Sequence, residues 1–341
     1  MMNGTRALQR WAFCCLATSL WAGSLAASTG LVRTQTLQLR EGWNSIYLEV
    51  TPEENTPDQV FAGLPVEKVA TFYPRESPVE YISDPGTAGW NKENWAIWYA
   101  PHRADAFLSS LHAVHAHQAY LILASEEVTW TVEGLVERQQ IRWKSDSFNH
   151  VGFVVDAVAP PTFAQCFAGS KAHQNPRIYR LVNGHWALVE SPANTLMQSG
   201  EACWVFCQGS SDFQGPLDIR LQHQRGLIFG GDDRAPFAIR NRSPMPVTIA
   251  VHTQADLPSL PLSYRIRVLG EKQIRNAAVP LPATLGLGNV EPDEVKGFYF
   301  EVRPEEMTAP VQRTLLRIST DLGIHYWIPV VAHRSAQPVI P

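Results

Sequence analysis

Residues 42–50 read Gly-Trp-Asn-Ser-Ile-Tyr-Leu-Glu-Val, and residues 147–155 read Ser-Phe-Asn-His-Val-Gly-Phe-Val-Val. In each stretch an aromatic residue and an asparagine lead into an apolar run rich in β-forming residues, which predicts a buried strand. The two stretches are the first sign that the chain contains one kind of unit twice.

Two further pairs of segments match in the same order. Residues 59–63 (Gln-Val-Phe-Ala-Gly) match residues 165–169 (Gln-Cys-Phe-Ala-Gly), and residues 119–124 match residues 202–207. Three matches in one order predict a duplication. We place unit 1 at residues 34–136 and unit 2 at residues 139–217.

Each unit is predicted to be a small sheet with one short helix. In unit 1 the helix follows Thr56 as N-cap and Pro57 as first residue, and Gly63 lies past its end. The last matched segment is apolar on both faces, so we expect a central strand there. The other strands are predicted at Val69–Tyr73, Trp95–Tyr99, Ile178–Leu181 and Trp186–Val189, with a tight hairpin turn at Asn183-Gly184.

Residues 218–336 show a different pattern, in which short strands follow one another. Apolar and polar residues alternate in Thr248–His252 and Phe298–Val302. About eight short strands in such a segment indicate a β-sandwich. Eight are predicted: Ile219–Gln222, Leu227–Phe229, Phe237–Asn241, Val247–His252, Tyr264–Val268, Gly297–Val302, Leu315–Ser319 and Tyr326–Val331. The chain is therefore predicted to be mainly β.

Two resemblances accompany these patterns. The Gly-Trp-Asn start, the proline-started Gln-Val-Phe-Ala-Gly helix and the tryptophan-containing hairpin resemble modules of large exported bacterial proteins of unassigned role, over residues 36–217. Unit 2 departs from this pattern because it lacks the Gly-Trp pair. Residues 237–252 resemble the strand pair of bacterial immunoglobulin-like domains. The resemblances imply a surface or extracellular accessory module with an immunoglobulin-like sandwich.

The first residues predict export. Arg6 and Arg10 precede an uncharged apolar run at residues 11–21, and Ser24-Leu25-Ala26 supplies small residues for cleavage. We expect residues 1–27 to be a signal peptide and the mature chain to lie in the periplasm, on the cell surface or outside the cell. An uncleaved membrane anchor is the alternative. No later segment is long and apolar enough to predict a membrane span.

Charge and composition argue against a nucleic-acid partner. The formal net charge is −4, and removal of the signal peptide with its two arginines makes it more negative. The chain is 45% hydrophobic and 18% charged, which is typical of a folded protein. We expect the partner to be another envelope protein or a glycan.

Three cysteines remain after signal cleavage, so one intramolecular disulfide at most can form. Cys203 and Cys207 lie about 13 Å apart along a strand, which is too far for a bridge. The repeat alignment favours a disulfide between Cys166 and Cys203. Buried free thiols are the alternative.

Two groups of residues are candidate binding sites. Tyr81 and Trp90 lie in an insertion at residues 76–94 that unit 2 lacks, and with Trp95 they could form a stacking platform for a sugar. The alternative is that these aromatic residues only pack the loop down.

His112, His115 and His117 could bind zinc or copper. Unit 2 has Thr195, Gln198 and Gly200 at these positions, so a polar turn before a strand is the alternative. No cofactor is predicted.

No motif assembles a catalytic site. The favoured function is a non-catalytic exported module with a structural, adhesive or scaffold role in a bacterial envelope. The first alternative is a carbohydrate-binding protein that uses the insertion. The second is a hydrolase with carboxylates in no recognisable pattern, for which Glu49, Asp58 and Glu80 are available.

Overall fold

The computed structural model describes residues 31–73, 94–254, 260–269 and 274–334. The predicted signal peptide and most of the 76–94 insertion, with Tyr81, Trp90 and Glu80, lie outside these residues. Strands dominate the described chain, which confirms the mainly β class. Its helices are short, and none is long and apolar enough to cross a membrane.

Unit 1 builds two sheets around one core. Its main sheet has the order β2-β6-β4-β5, and a second sheet, which was not predicted, has the order β1-β7-β3. Side chains of both sheets meet in the core, Ile46 and Ile122 from the first, Leu39 and Trp130 from the second. The elements are β1 (Val32–Leu39), β2 (Gly42–Leu48), β3 (Thr51–Pro52), α1 (Pro57–Val60), β4 (Val66–Phe72), β5 (Trp95–Tyr99), a 3-10 turn (Ala106–Leu108), β6 (Gln118–Ala124) and β7 (Val128–Leu135).

Unit 2 repeats the main sheet of unit 1. Its sheet has the order β8-β11-β9-β10, and both sheets are antiparallel throughout. The segments that match in sequence therefore occupy the same places, and the matched apolar strands β6 and β11 are interior as predicted. The elements are β8 (Ser147–Gly152), α2 (Phe163–Phe167), a 3-10 turn (Lys171–His173), β9 (Ile178–Val182), β10 (His185–Leu188) and β11 (Ala202–Cys207).

Local signals position the short elements of both units. Thr162 forms a reciprocal capping box with Gln165 at the start of α2. Thr56 precedes α1 with Pro57 at its first position, and its hydroxyl contacts the Gln59 side chain without capping a backbone N–H. The Asn183-Gly184 pair joins β9 to β10 with φ values of 50° and 78°, as the hairpin prediction requires.

The C-terminal part is a β-sandwich of two five-stranded sheets, with orders β12-β14-β19-β16-β17 and β13-β21-β20-β15-β18. Side chains from both sheets, such as Ile239 and Phe300 opposite Val251 and Ile318, form one core. The sequence prediction missed β17 and β18. The elements are β12 (Leu217–Leu221), β13 (Leu227–Phe229), β14 (Arg234–Asn241), β15 (Val247–Thr253), β16 (Leu262–Leu269), β17 (Ile274–Pro280), β18 (Thr284–Val290), β19 (Val295–Val302), a 3-10 turn (Pro304–Glu306), β20 (Val311–Thr320) and β21 (His325–His333).

Candidate functional site

The two units meet through the faces of their main sheets that point away from their own cores. Ser45 Oγ on β2 lies 2.8 Å from His150 Nε2 on β8. The Tyr47 ring packs directly against the backbone of Gly152. A Cβ atom on residue 152 would lie only 2.3 Å from Tyr47 Cγ, so this position has no room for a side chain. Each pair joins positions that are equivalent in the repeat. The junction therefore brings the equivalent strands β2 and β8 of the two main sheets into contact.

Aromatic rings surround His150 at this junction. Its imidazole stacks on Trp204 of β11, with ring centroids 4.8 Å apart. Trp95 and Trp186, at equivalent positions of the two units, each lie edge-on to Trp204 at 6.2 Å. Phe72 packs edge-on to Trp204 at 5.6 Å. Trp95, a predicted glycan-stacking residue, is therefore half-buried in the packing between units.

Burial lowers the pKa of His150 to about 3, because the imidazolium cannot be solvated at this position. The ring is therefore neutral at physiological pH. Its Nδ1 atom is buried and has no hydrogen-bond partner among the described residues.

A cavity of about 210 Å³ opens beside this junction, and we call it the inter-unit cavity. Aromatic and polar side chains share its wall, which is the composition of a small-molecule site. The segment that links the two units covers one side. Its wall includes Tyr47, Phe72, Phe148, His150, Gln140 and Arg142.

A second cavity of about 260 Å³ lies between the linking segment and the sandwich, and it shares Gln140, Ile141 and Arg142 with the first. Its polar groups are largely engaged. Arg138 donates to the carbonyls of Ile219 and Gln224, and Asp218 pairs with Arg220 and Arg242. The Trp327 side chain also lines this cavity, and its indole Nε1 is buried without a hydrogen-bond partner among the described residues.

The structure does not gather the three histidines into a metal site. His112 and His115 are exposed, and among the residues it describes there is no cluster of three or more His, Cys, Asp or Glu that could hold a metal ion. The His117 ring is held by the Tyr47 hydroxyl and the Glu137 carbonyl. Its backbone is left-handed, with φ of 59°, and the equivalent Gly200 has φ of 73°. The position therefore serves a turn that both units share.

The predicted disulfide is not formed. Cys166 lies on α2 and Cys203 on β11, in one core as the alignment suggested, but both are free thiols, as is Cys207. Burial raises the pKa of Cys166 and Cys203 well above the ordinary value, and that of Cys207 to about 11. These thiols therefore behave as apolar packing groups.

Sequence reasoning missed the residues that build the junction: Ser45, Tyr47, His150, Gly152, Trp186 and Trp204. One signal was available. The repeat alignment sets a large Tyr47 against a small Gly152 at the same position. Such complementarity is what a contact between equivalent positions requires.

Comparisons with known proteins do not assign a family. No family model matches the chain, and no curated protein does. Solved structures are similar only at low level. A DUF3823 family protein from Bacteroides ovatus covers 57% of this chain and 97% of its own, at 10% identity and a TM-score of 0.24.

Two other solved structures each cover 36% of this chain. The PapD-like domain 7 of human CEP192 is matched over 87% of its length, at 8% identity and a TM-score of 0.23. The sporulation control protein Spo0M from Bacillus subtilis is matched over 49%, at 12% identity and a TM-score of 0.19. TM-scores this low do not establish a common fold.

Proposed function

We propose that the protein is a non-catalytic exported module of a bacterial envelope or surface, with a structural, adhesive or scaffold role. The observation that carries this proposal is the close packing of unit 1, unit 2 and the sandwich against one another at glycine residues. Domains of one chain move relative to one another unless the contact between them is large and well packed. Here backbone and side chains of neighbouring parts approach more closely than any Cβ would allow.

Five glycines make these contacts: Gly152, Gly169, Gly200, Gly215 and Gly323. A Cβ at Gly169 of unit 2 would lie 1.8 Å from the Arg242 carbonyl oxygen of the sandwich, and one at Gly323 of the sandwich 2.0 Å from the Ala159 carbonyl oxygen of unit 2. Gly152 and Gly200 of unit 2 approach side chains of unit 1 in the same way. A fixed arrangement of three parts suits a protein that holds partners at a set spacing.

Glu49 and Asp58, two of the three carboxylates considered for a hydrolase, have structural contacts instead, and Glu80 lies outside the described residues. Glu49 is buried and ion-paired with Arg33. Asp58 accepts a hydrogen bond from Trp98 Nε1 at 2.7 Å. These contacts favour the non-catalytic role.

Export is tested with residues 1–30 fused to a phosphatase that is active only after it leaves the cytoplasm. We expect activity in intact cells and an N-terminus of the mature chain close to Ala26. A fusion that remains inactive although it is expressed would contradict the export proposal.

The scaffold role is tested by co-sedimentation of the purified mature protein with envelopes of the bacterium that encodes it. We expect saturable binding that weakens at least fivefold in Gly169→Ala, which forces unit 2 away from the sandwich. Gly297→Ala is the matched control, because a Cβ at Gly297 meets nothing within 4 Å. Absence of binding, or equal binding of the two variants, would contradict the role.

The carbohydrate-binding alternative rests on the aromatic insertion, and one observation favours it. Phe72 and Trp95, which pack against each other at 5.5 Å, flank the insertion and anchor its two ends to the junction. A glycan array with the mature protein and its Trp90→Ala variant tests this alternative. Binding of the mature protein to a glycan that the Trp90→Ala variant does not bind would support this alternative. Absence of binding to every glycan on the array would exclude it.

A further inference from the structure

Strand β10, at the edge of the main sheet of unit 2, has backbone groups without partners. Val189 N–H donates to the Ile178 carbonyl at 2.8 Å, and the register with β9 continues without a bulge to the Asn183-Gly184 turn. In an antiparallel pair, hydrogen-bonded and non-hydrogen-bonded positions alternate, so the N–H and C=O groups of Trp186 and Leu188 point away from β9. These four groups, which we call the β10 edge, make no hydrogen bond with any described residue.

Unit 1 covers the equivalent edge, which lies on β5, with a segment of its own chain. Ile97 N–H donates to the Ser110 hydroxyl at 3.1 Å, and the Ile97 carbonyl accepts from Ser110 N–H at 2.7 Å. Tyr99 N–H donates to the Ser109 hydroxyl at 3.1 Å. Ile97 and Leu188 each lie two positions after the equivalent tryptophan of their strand. The edge that is covered in unit 1 is therefore the one that the described residues leave open in unit 2.

The length of one connection explains this difference. In unit 1 the 18 residues 100–117 join β5 to β6, and part of this connection runs along β5. In unit 2 only the 13 residues 189–201 join β10 to β11. This shorter connection turns onto α2, where the Pro192 carbonyl accepts from Ala164 N–H at 3.0 Å. It therefore does not cover the β10 edge.

The β10 edge also lacks the features that keep other strands away. Native proteins protect open edges with charged side chains, prolines or bulges. Residues 185–188 read His-Trp-Ala-Leu, without a lysine or a proline. By contrast β18, an edge strand of the sandwich, has an irregular register with β15 and a left-handed Gly288 with φ of 80°. Leu188 is 42% exposed, so an apolar side chain accompanies the free backbone groups of β10.

The β10 edge matches a second copy of itself. When two β10 strands run antiparallel about a two-fold axis at Ala187, Trp186 of each copy lies opposite Leu188 of the other. Each of these two pairs exchanges two N–H···O bonds, so the β10 edges of both copies are fully satisfied. Ala187 then meets Ala187 of the second copy at a non-hydrogen-bonded position, where Cα atoms lie about 4.5 Å apart and a small side chain fits. Such self-complementary contacts are typical of two-fold dimers.

The side chains of β10 suit the same pairing. Trp186 and Leu188 project from one face of the sheet, so the exposed Leu188 of each copy would pack on Trp186 of the other. Glu190, the one acidic residue among residues 184–190, would lie opposite Gly184. The pairing therefore places no like charges opposite each other. A second copy brings this match by symmetry, which an unrelated strand does not.

We propose that the protein forms a two-fold dimer through β10, in which the two four-stranded sheets of unit 2 join into one antiparallel sheet of eight strands. The proposal rests on the hydrogen-bonding pattern of the β10 edge. It does not depend on export or on the scaffold role.

The test is sedimentation velocity of the mature protein at concentrations up to about 0.5 mM, because a pairing of short strands belongs to the class of small, weak interfaces. We expect an equilibrium between monomer and dimer. Ala187→Lys should raise the dissociation constant of the dimer about tenfold or more, because the two-fold axis places the two lysines directly opposite each other, and Ala187→Glu should do the same. Ala187 is exposed, so both variants should fold normally. An equimolar mixture of the two variants should dimerise at least as well as the wild type, because opposite charges then meet.

Ala278→Lys is the matched control, because Ala278 is an exposed alanine of another edge strand, β17, and this variant should dimerise like the wild type. The proposal is overturned if the protein stays monomeric up to the highest concentration, even where the β10 edge binds some other protein. It is also overturned if Ala187→Lys dimerises like the wild type, or if the mixture of the two Ala187 variants stays monomeric. Envelope co-sedimentation reports on the scaffold role separately.

Discussion

Asn44 and Asn149, which occupy the same position in the two units, make the same three hydrogen bonds. Asn44 Oδ1 accepts from the Arg40 N–H, and its Nδ2 donates to the carbonyls of Arg40 and Gly42, at 2.8–3.0 Å. Asn149 does the same with Lys144 and Ser147, at 2.7–3.1 Å. The asparagine closes the turn that leads into the first strand of each main sheet, which explains its place in the repeated motif.

Replacement of either asparagine by alanine should therefore destabilise the protein. We expect Asn149→Ala to lower the free energy of unfolding by about 2 kcal/mol and Asn44→Ala by about 1 kcal/mol, since Asn149 is buried and Asn44 is only half-buried. Urea unfolding followed by tryptophan fluorescence measures both. Equal stability of the wild type and Asn149→Ala would show that the turn forms without the side chain.

Gly152→Ala should disrupt the junction of the two units. The added methyl group would overlap the Tyr47 ring, and overpacking of a filled core costs about 1–3 kcal/mol. In a Tyr47→Ala background the same change should cost much less, because the ring that it meets is gone. A double-mutant cycle measures this coupling, with Gly297→Ala as the control expected to be near neutral. If the stability changes of Gly152→Ala and Tyr47→Ala were additive, the two positions would not be in direct steric contact.

Two buried histidines should make the protein lose stability as the pH falls below about 6.5, which is above the range in which carboxylates titrate. Burial lowers the pKa of His150 to about 3 and that of His173 to about 4, whereas an unfolded histidine has a pKa near 6.5. Between these values the unfolded chain binds protons that the folded chain does not. The stability from these groups is complete above about pH 6.5 and is lost as the pH falls.

The measurement is urea unfolding between pH 7.5 and 4.5 for the wild type and His150→Gln. We expect the loss of stability with falling pH to be smaller in the variant, by on the order of 1 kcal/mol per pH unit. The comparison isolates His150, because the other titrating groups are present in both proteins. Parallel curves would show that His150 accepts a proton in the folded state.

Arg33→Met should lower the free energy of unfolding, because it leaves the buried Glu49 carboxylate without its ion-pair partner. Burial raises the pKa of Glu49 even though the Arg33 guanidinium beside it favours the charged form. Without Arg33 the pKa rises further, so we expect a loss of about 3 kcal/mol at pH 8 and a smaller loss at pH 5, where Glu49 takes up a proton.

The pH dependence separates this effect from a second contact that the substitution removes. Arg33 also lies over the Trp327 ring at 4.9 Å, and that contribution does not change with the protonation of Glu49. Arg225→Met, at an exposed arginine, should change stability by less than about 0.5 kcal/mol at either pH. A loss in Arg33→Met that is the same at pH 5 and pH 8 would contradict a role for Glu49.

Predictions from local pattern agree best with the structure. The strands at Trp95–Tyr99 and Leu227–Phe229 have the predicted limits, and the sandwich contains all eight predicted strands. Strands β17 and β18 were missed because Gly286, Gly288 and Pro280 weaken the strand signal. Strand β7 was also not predicted, although its sequence carries the alternation typical of a strand. The buried residues Trp130 and Val132 alternate with exposed residues.

The site was harder to predict, for a physical reason. The Cys166–Cys203 disulfide was wrong because a shared core does not guarantee the narrow geometry that a bridge requires. His112, His115 and His117 are close in sequence and were a candidate metal site, but they lie in an irregular segment. His112 and His115 are exposed there, whereas the His117 ring is held by the Tyr47 hydroxyl of β2. Side-chain direction in irregular segments depends on partners that are distant in sequence.

The sequence by itself determined the β class, the helix starts and the hairpin at Asn183-Gly184, because each depends on residues within about ten positions of one another. It also indicated the duplication, because two short local patterns can be compared wherever they lie in the chain. The tertiary structure alone decided that the outer faces of the two main sheets pack together, with Ser45 on His150 and Tyr47 over Gly152. These contacts join residues about a hundred positions apart. Burial at that junction leaves His150 neutral with an unsatisfied nitrogen, and no pattern of neighbouring residues encodes burial of that kind.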